Sequence, residues 1–263
     1  LAAGGWDAAD LDLLLVATCT PDMPLPSTAC LIQRNLKASR AIAFDLAAAC
    51  SGFLYGLSVA DLYVRSGTCR KALVVGTEVM SSMIDWTDRS TCILFGDGAG
   101  AVLLEPSDDD RGILSTHLHS DGDLWDLVCV PGGGSRLPAS AAMLADRQQF
   151  VKMKGNETFK VAVRTLEATA REALEANKMG VDDVDLFIPH QANVRIVNAV
   201  MERLGLRKDR AFLNIDRYGN TSAASIPLAL DEAVRAGRIS PGSRILMVAF
   251  GSGLTWASAV VKW

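Results

Sequence analysis

The sequence has no apolar run of the roughly 18 to 20 residues that a bilayer span needs, because Arg, Lys, Asp or Glu breaks every candidate. Its first residues, "LAAGGWDAAD", carry no basic segment followed by an apolar one, so nothing marks secretion and the chain reads as cytoplasmic. Six cysteines form no C-x-x-C pair and no regular framework, which argues for free thiols rather than disulfides. No Walker A or zinc-binding motif is present, and three histidines leave little material for a metal site. A formal net charge of −4 without a polybasic tract argues against a nucleic-acid partner held through phosphates. The 263 residues suffice for one compact unit, either a single domain or a bilobal one.

Short β-rich runs alternate with longer amphipathic ones, which is an α/β pattern. The runs are "LDLLLVAT" (11–18), "AIAFDL" (41–46), a helical pattern to Arg65, "KALVVGTE" (71–78) and "CILFGDGAGAVLLE" (92–105). The order then repeats with "VDLFIPH" (184–190), a helix to Leu204, "AFLNID" (211–216), a helix to Arg235, "RILMVAF" (244–250) and "WASAVVKW" (256–263). Asp12-Leu13-Leu14 parallels Asp185-Leu186-Phe187, and Arg65-Ser66-Gly67 parallels Arg235-Ala236-Gly237, each a helix end with its glycine stop. We read two duplicated halves, 1–105 and 151–263, joined by a connecting segment, 106–150. The second half has a helix, Phe159 to Asn177, before its first strand; the first half opens without one, as a fragment lacking its first strand and helix would.

Cys50 follows a strand ending near Leu46 and opens a helix with apolar positions at Phe53, Leu54 and Leu57. At a helix N-terminus the unpaired N–H groups and the macrodipole favour thiolate, and small neighbours from Ala47 to Gly52 leave room for a substrate. Cys19, Cys30, Cys69, Cys92 and Cys129 read as small hydrophobes. His190 closes a strand and opens a helix, at the rim where α/β sites form. His117 and His119 alternate on a strand and read as structural. Cys50 and Asn220 occupy matching strand-to-helix turns, so a pseudo-twofold axis brings them together, although Asn220 also suits a cap or turn. "FGDGAGAV" (95–102) reads as a tight hairpin, since strand-like residues follow it where a phosphate-binding helix would start. "FGSG" (250–253) turns between two strands and offers N–H groups to an oxyanion.

Together, "DLAAACSGF" (45–53), "FGDGAGAV", "IPHQANVRI" (188–196), "RYGNTSAASIP" (217–227) and "FGSGLTW" (250–256) resemble the β-ketoacyl-acyl carrier protein synthase III family, over the whole chain. The resemblance implies the thiolase-like fold, α-β-α-β-α layers built from two duplicated halves, as a homodimer. It implies an acyltransferase that condenses an acyl-CoA primer, acetyl-CoA first, with malonyl-acyl carrier protein through an acyl-cysteine. The substrates are coenzyme A and phosphopantetheine thioesters, with no further cofactor, metal, membrane or nucleic acid. By position, Cys50 matches the nucleophile and His190 and Asn220 the pair that assists decarboxylation. The backbone N–H groups of Cys50 and Ser252 match the oxyanion hole, with Ser252 replacing the usual glycine. Leu25, from the dimer partner, Met80 and Phe95 match the acyl pocket, and Gly155, Asn156, Phe159, Ala192 and Asn193 the phosphopantetheine tunnel. Lys160 and Arg195, with Lys154 and Arg203 nearby, match the basic patch that docks an acidic carrier protein. Two alternatives keep the fold: a condensing enzyme of secondary metabolism, making quinolones or polyketide starters, and a non-catalytic carrier-binding subunit, against which Cys50 argues.

Overall fold

The structure, a computed structural model, describes residues 1–263. Ten strands form it: β1 (Leu13–Ala17), β2 (Ile42–Leu46), β3 (Ala72–Glu78), β4 (Gly98–Leu104), β5 (Gly112–Ser120), β6 (Val128–Cys129), β7 (Lys152–Met153), β8 (Leu186–Pro189), β9 (Arg244–Gly251) and β10 (Thr255–Lys262). The helices are α1 (Thr28–Leu36), α2 (Gly52–Arg65), α3 (Arg89–Cys92), α4 (Ala141–Ala145), α5 (Gly155–Ala176), α6 (Val194–Leu204), α7 (Ile215–Tyr218) and α8 (Ser225–Arg235). One sheet runs β2-β1-β3-β4, another β5-β10-β9-β8, and β6 pairs with β7 alone. β5 lies within the stretch read as a connection, yet it forms the edge of the second sheet beside β10. No helix is long and apolar enough to cross a membrane.

Both faces of each sheet are covered, which is why the strands read as nearly continuous apolar runs. Leu13 and Leu15 of β1 face one core with Leu186 and Ile188 of β8, while Leu14 and Val16 face away into another. The shared core holds α2 and α8 between the two sheets, α1 lies outside the first sheet, and α5 and α6 lie outside the second. The result is five layers, α-β-α-β-α. The duplication extends to side chains: Asp12 accepts the N–H groups of Arg70 and Lys71 at 2.9 and 3.1 Å, and Asp185 accepts that of Arg244 at 2.8 Å.

Two local expectations fail for identifiable reasons. "AFLNID" forms no strand, only one bridge, between Phe187 and Ala211, followed by the turn of α7. The side chain of buried Gln191 takes the backbone groups a ladder would need: Oε1 accepts from Asn214 N and Ile215 N at 2.8 and 2.9 Å, and Nε2 donates to Phe212 O at 3.3 Å. "FGDGAGAV" is likewise not a hairpin. Gly96 passes under the loop before α8, where a Cβ would stand 2.1 Å from Tyr218 O, and β4 then starts at Gly98 to run antiparallel to β3. That close passage lets Gly96 N donate to Asn220 O at 3.0 Å and Asn220 N to Leu94 O at 2.8 Å, which fixes the backbone of Asn220.

Candidate active site

Strand register shows how the two halves build one site. Leu13 pairs with Ala72 as Leu186 pairs with Ile245, so Ala17 corresponds to His190 and Glu78 to Gly251. The turns before α2 and α8 correspond as well: each is a 3-10 turn, Ala49–Ser51 and Ser222–Ala224, entered through a residue at positive φ, Ala49 at 46° and Ser222 at 48°. This match pairs Cys50 with Ala223 and Asn220 with Ala47. Cys50 and Asn220 lie on matching turns, as expected, but at different steps of them. Each chemical residue thus has an alanine at its duplicate position, and the pseudo-twofold axis brings together one functional set rather than two.

Cys50, His190 and Asn220 line one cavity of about 300 Å³, with Ser222, Gly251 and Ser252 beside them. Most of its lining is apolar, including Met80, Met83, Phe95, Val128, Val151 and Leu166. Gly251 is required by close approach: a Cβ there would stand 2.7 Å from Cys50 N and 3.1 Å from Ser51 N. Ser252 Oγ donates to Val128 O, which anchors the β9–β10 turn to this wall.

The electrostatics are those of a dry site. Burial lifts the Cys50 thiol to about 11, although the hydroxyl of Ser222 and the N–H of Cys50 itself pull it down; the Glu78 carboxylate adds to the rise. The helix N-terminus therefore does not by itself hold Cys50 as thiolate. Burial lowers His190 to about 4, so its imidazole is neutral near pH 7. His190 is 2% exposed, and neither ring nitrogen has a hydrogen-bond partner. A buried imidazole left unpaired in this way costs stability unless a ligand atom completes it.

The other expected positions divide. Met80, Phe95 and Ala192 line the cavity. Gly155, Asn156, Phe159 and Asn193 do not: Gly155 and Asn156 open α5 on the surface, Asn193 caps α6 through Arg195 N at 2.9 Å, and Phe159 lies under the Arg195 guanidinium at 5.7 Å. Leu25 is 84% exposed, outside the cavity of its own chain. Lys160 and Arg195 are exposed and in no ion pair, whereas Lys154 pairs with Asp126 at 2.6 Å and Arg203 with Glu167 at 3.2 Å. His119 and His117 share Glu172 at 2.7 and 3.5 Å and tie β5 to α5.

Cys19 and Cys129, read as inert packing, line the cavity with Cys50. Glu78, which the sequence reading passed over, ends β3 at 2% exposure and accepts from Thr20 Oγ1 at 2.8 Å, Cys19 N at 3.0 Å, Thr18 Oγ1 at 3.3 Å and Ser222 Oγ at 3.0 Å. In the sequence Glu78 shows only as a carboxylate closing an apolar strand, which was the one available signal.

The family described as 3-oxoacyl-[acyl-carrier-protein (ACP)] synthase III matches residues 44–122, and the C-terminal part of that family matches residues 174–263. A β-ketoacyl-[acyl-carrier-protein] synthase III of Roseiflexus castenholzii is 54% identical over all of this chain and 80% of its own length. The crystal structure of 3-oxoacyl-[acyl-carrier-protein] synthase III from Aquifex aeolicus superposes with a TM-score of 0.92 at 46% identity, covering 100% of this chain and 80% of that one. A priming β-ketosynthase of the R1128 polyketide pathway superposes with a TM-score of 0.91 at 38% identity, covering 100% of this chain and 78% of that one. The fold is that of the thiolase-like condensing enzymes, which are acyltransferases. Among them, the chain belongs to the 3-oxoacyl-[acyl-carrier-protein] synthase III family.

Proposed function

We propose that the chain takes an acyl group, acetyl in the first instance, from coenzyme A onto Cys50 and condenses it with malonyl-acyl carrier protein to give a 3-oxoacyl-acyl carrier protein. The convergence of Cys50, His190 and Asn220 on one apolar cavity, with both His190 nitrogens unpaired, carries this reading. Thiolate attack on the primer thioester puts negative charge on its oxygen, which the N–H groups of Cys50 and Ser252 are proposed to hold. CoA leaves as thiol. Malonyl thioester then enters, and neutral His190 with the amide of Asn220 donates to its carbonyl oxygen as CO2 departs and enolate charge develops. The carbanion attacks acyl-Cys50, the acyl carbon–sulfur bond breaks, and the released thiolate takes a proton from water.

Lys160 and Arg195, exposed and free of ion pairs, suit an acidic carrier protein. The enzyme works as a homodimer in the cytoplasm in this reading, with Leu25 of a second copy closing the acyl pocket; the exposure of Leu25, Val79, Trp86 and Ile93 supports an apolar contact there. Incubation with acetyl-CoA and malonyl-acyl carrier protein tests the reaction. It should yield acetoacetyl-carrier protein and CO2, and Cys50→Ala should yield neither; binding of carrier protein with no product from any primer would sink the reading.

A second reading, the starter condensation of a polyketide, has one specific support in the 38% identical priming β-ketosynthase. A marked preference for primers longer than acetyl in the same assay would favour it.

A further inference from the structure

Cys50 must lose a proton before it can attack, and its surroundings oppose a free thiolate. Burial and the nearby carboxylate lift its thiol to about 11, so ionising it into solvent would leave two negative charges side by side in a dry site. His190, the other base on the cavity, is lowered to about 4 by burial and is needed neutral for the later step.

The hydroxyl of Ser222 lies between the thiol and a carboxylate. It lines the same cavity as Cys50, whose thiol it pulls down, and on its other side it donates to Glu78 Oε1 at 3.0 Å. Glu78 forms no ion pair, and burial raises it above the usual carboxylate range despite its four donors. The titratable groups facing it are Cys19, on the loop after β1, and Cys50, on the turn before α2. Asp97, beside its β4 partner Gly98, is engaged by Ser81.

We propose that Glu78 takes up the proton of Cys50 through the hydroxyl of Ser222. This rests on Cys50 being the residue acylated. The Cys50 S–H bond breaks and its proton passes to Ser222 Oγ, while the Ser222 hydroxyl proton passes to Glu78 Oε1. The electron pair left on sulfur attacks the thioester carbonyl, the bond to the CoA sulfur breaks, and the proton returns from Glu78 through Ser222 to the departing CoA thiolate. One negative charge is present throughout. The Ser222 hydroxyl suits both ends of the transfer: it donates to Glu78 before it, and afterwards would accept from Glu78 and donate to the thiolate. Glu78 touches no reacting atom and is a positioning residue, acting through Ser222.

The test is the single-turnover rate of Cys50 acylation by acetyl-CoA, read by rapid quench and intact mass from about pH 6 to about pH 10, in wild type, Glu78→Gln, Glu78→Asp and Ser222→Ala, with folding checked by thermal melting. Glu78→Gln should acylate on the order of 100-fold more slowly near neutrality, with a rate that climbs with pH toward the thiol's own range. Ser222→Ala should reproduce that profile with the carboxylate in place, and Glu78→Asp should keep the wild-type shape at a lower rate. A carboxylate that acted only as a neighbouring charge gives the opposite sign, since removing it lowers the thiol's pKa. Wild-type or faster acylation in either folded variant, Glu78→Gln or Ser222→Ala, overturns the relay alone. No adduct on Cys50 in the wild type overturns the nucleophile assignment and the relay with it.

Discussion

Asn220 accepts the backbone N–H of Ser222 on its Oδ1 at 2.9 Å, an internal bond that fixes the amide and leaves Nδ2 as its donor toward the cavity. Asn220→Asp keeps the acceptor and puts a carboxylate where enolate charge develops. Condensation should fall on the order of 100-fold or more while Cys50 still takes up acetyl. Parallel measurement of the acyl adduct and of CO2 release checks this; equal losses in both steps would place Asn220 elsewhere in the reaction.

Burial of His190 makes stability depend on acid. Its folded value, about 4, lies below the ordinary 6.5, so the unfolded chain binds its proton more tightly. This acid-linked loss of stability is absent above about pH 6.5 and grows as the pH falls toward 4, to on the order of 3 kcal/mol in all. His190→Ala should flatten that part of the denaturation profile between pH 4 and 7. A variant whose pH dependence matches wild type across this window would show that His190 is not desolvated.

Much of this was legible in the sequence. Apolar runs at β1, β8 and β9 between amphipathic stretches marked the α/β class, the resemblance supplied the layers, and Asp12 and Asp185 marked the duplication before any pairing was known. Less legible were contacts made across the two halves. Glu78 reads as the end of one more strand, and only the packing of the Ser222 turn against β3 brings it to Cys50. Cys19 reads as packing for the same reason. The failed strand at 211–216 depended on a single buried side chain, Gln191, outbidding the ladder for Phe212, Asn214 and Ile215, which no local propensity reveals.

Phe95 lines the cavity, while its backbone bridges Asn220. Truncation of the side chain should therefore enlarge the acyl end without moving the amide. In competition between acetyl-CoA and a longer acyl-CoA, Phe95→Ala should shift acylation toward the longer primer by about tenfold or more. An unchanged ratio would mean that the primer does not reach Phe95.

Carrier docking should depend on charges that are not already paired. Reversing Lys160 and Arg195 to Glu should raise the KM for malonyl-acyl carrier protein roughly tenfold at low salt, with the gap narrowing as salt is added, and leave acylation by acetyl-CoA unaffected. Lys154→Ala, which removes a partner of Asp126, should change that KM far less. Equal effects from both would place the carrier protein on a wider surface.

The most direct test of the account is intact-mass spectrometry of the protein after mixing with acetyl-CoA and a panel of longer acyl-CoAs. One acyl adduct per chain, absent from Cys50→Ala, is the result it predicts. An adduct that persists in Cys50→Ala, or none from any primer, would contradict it.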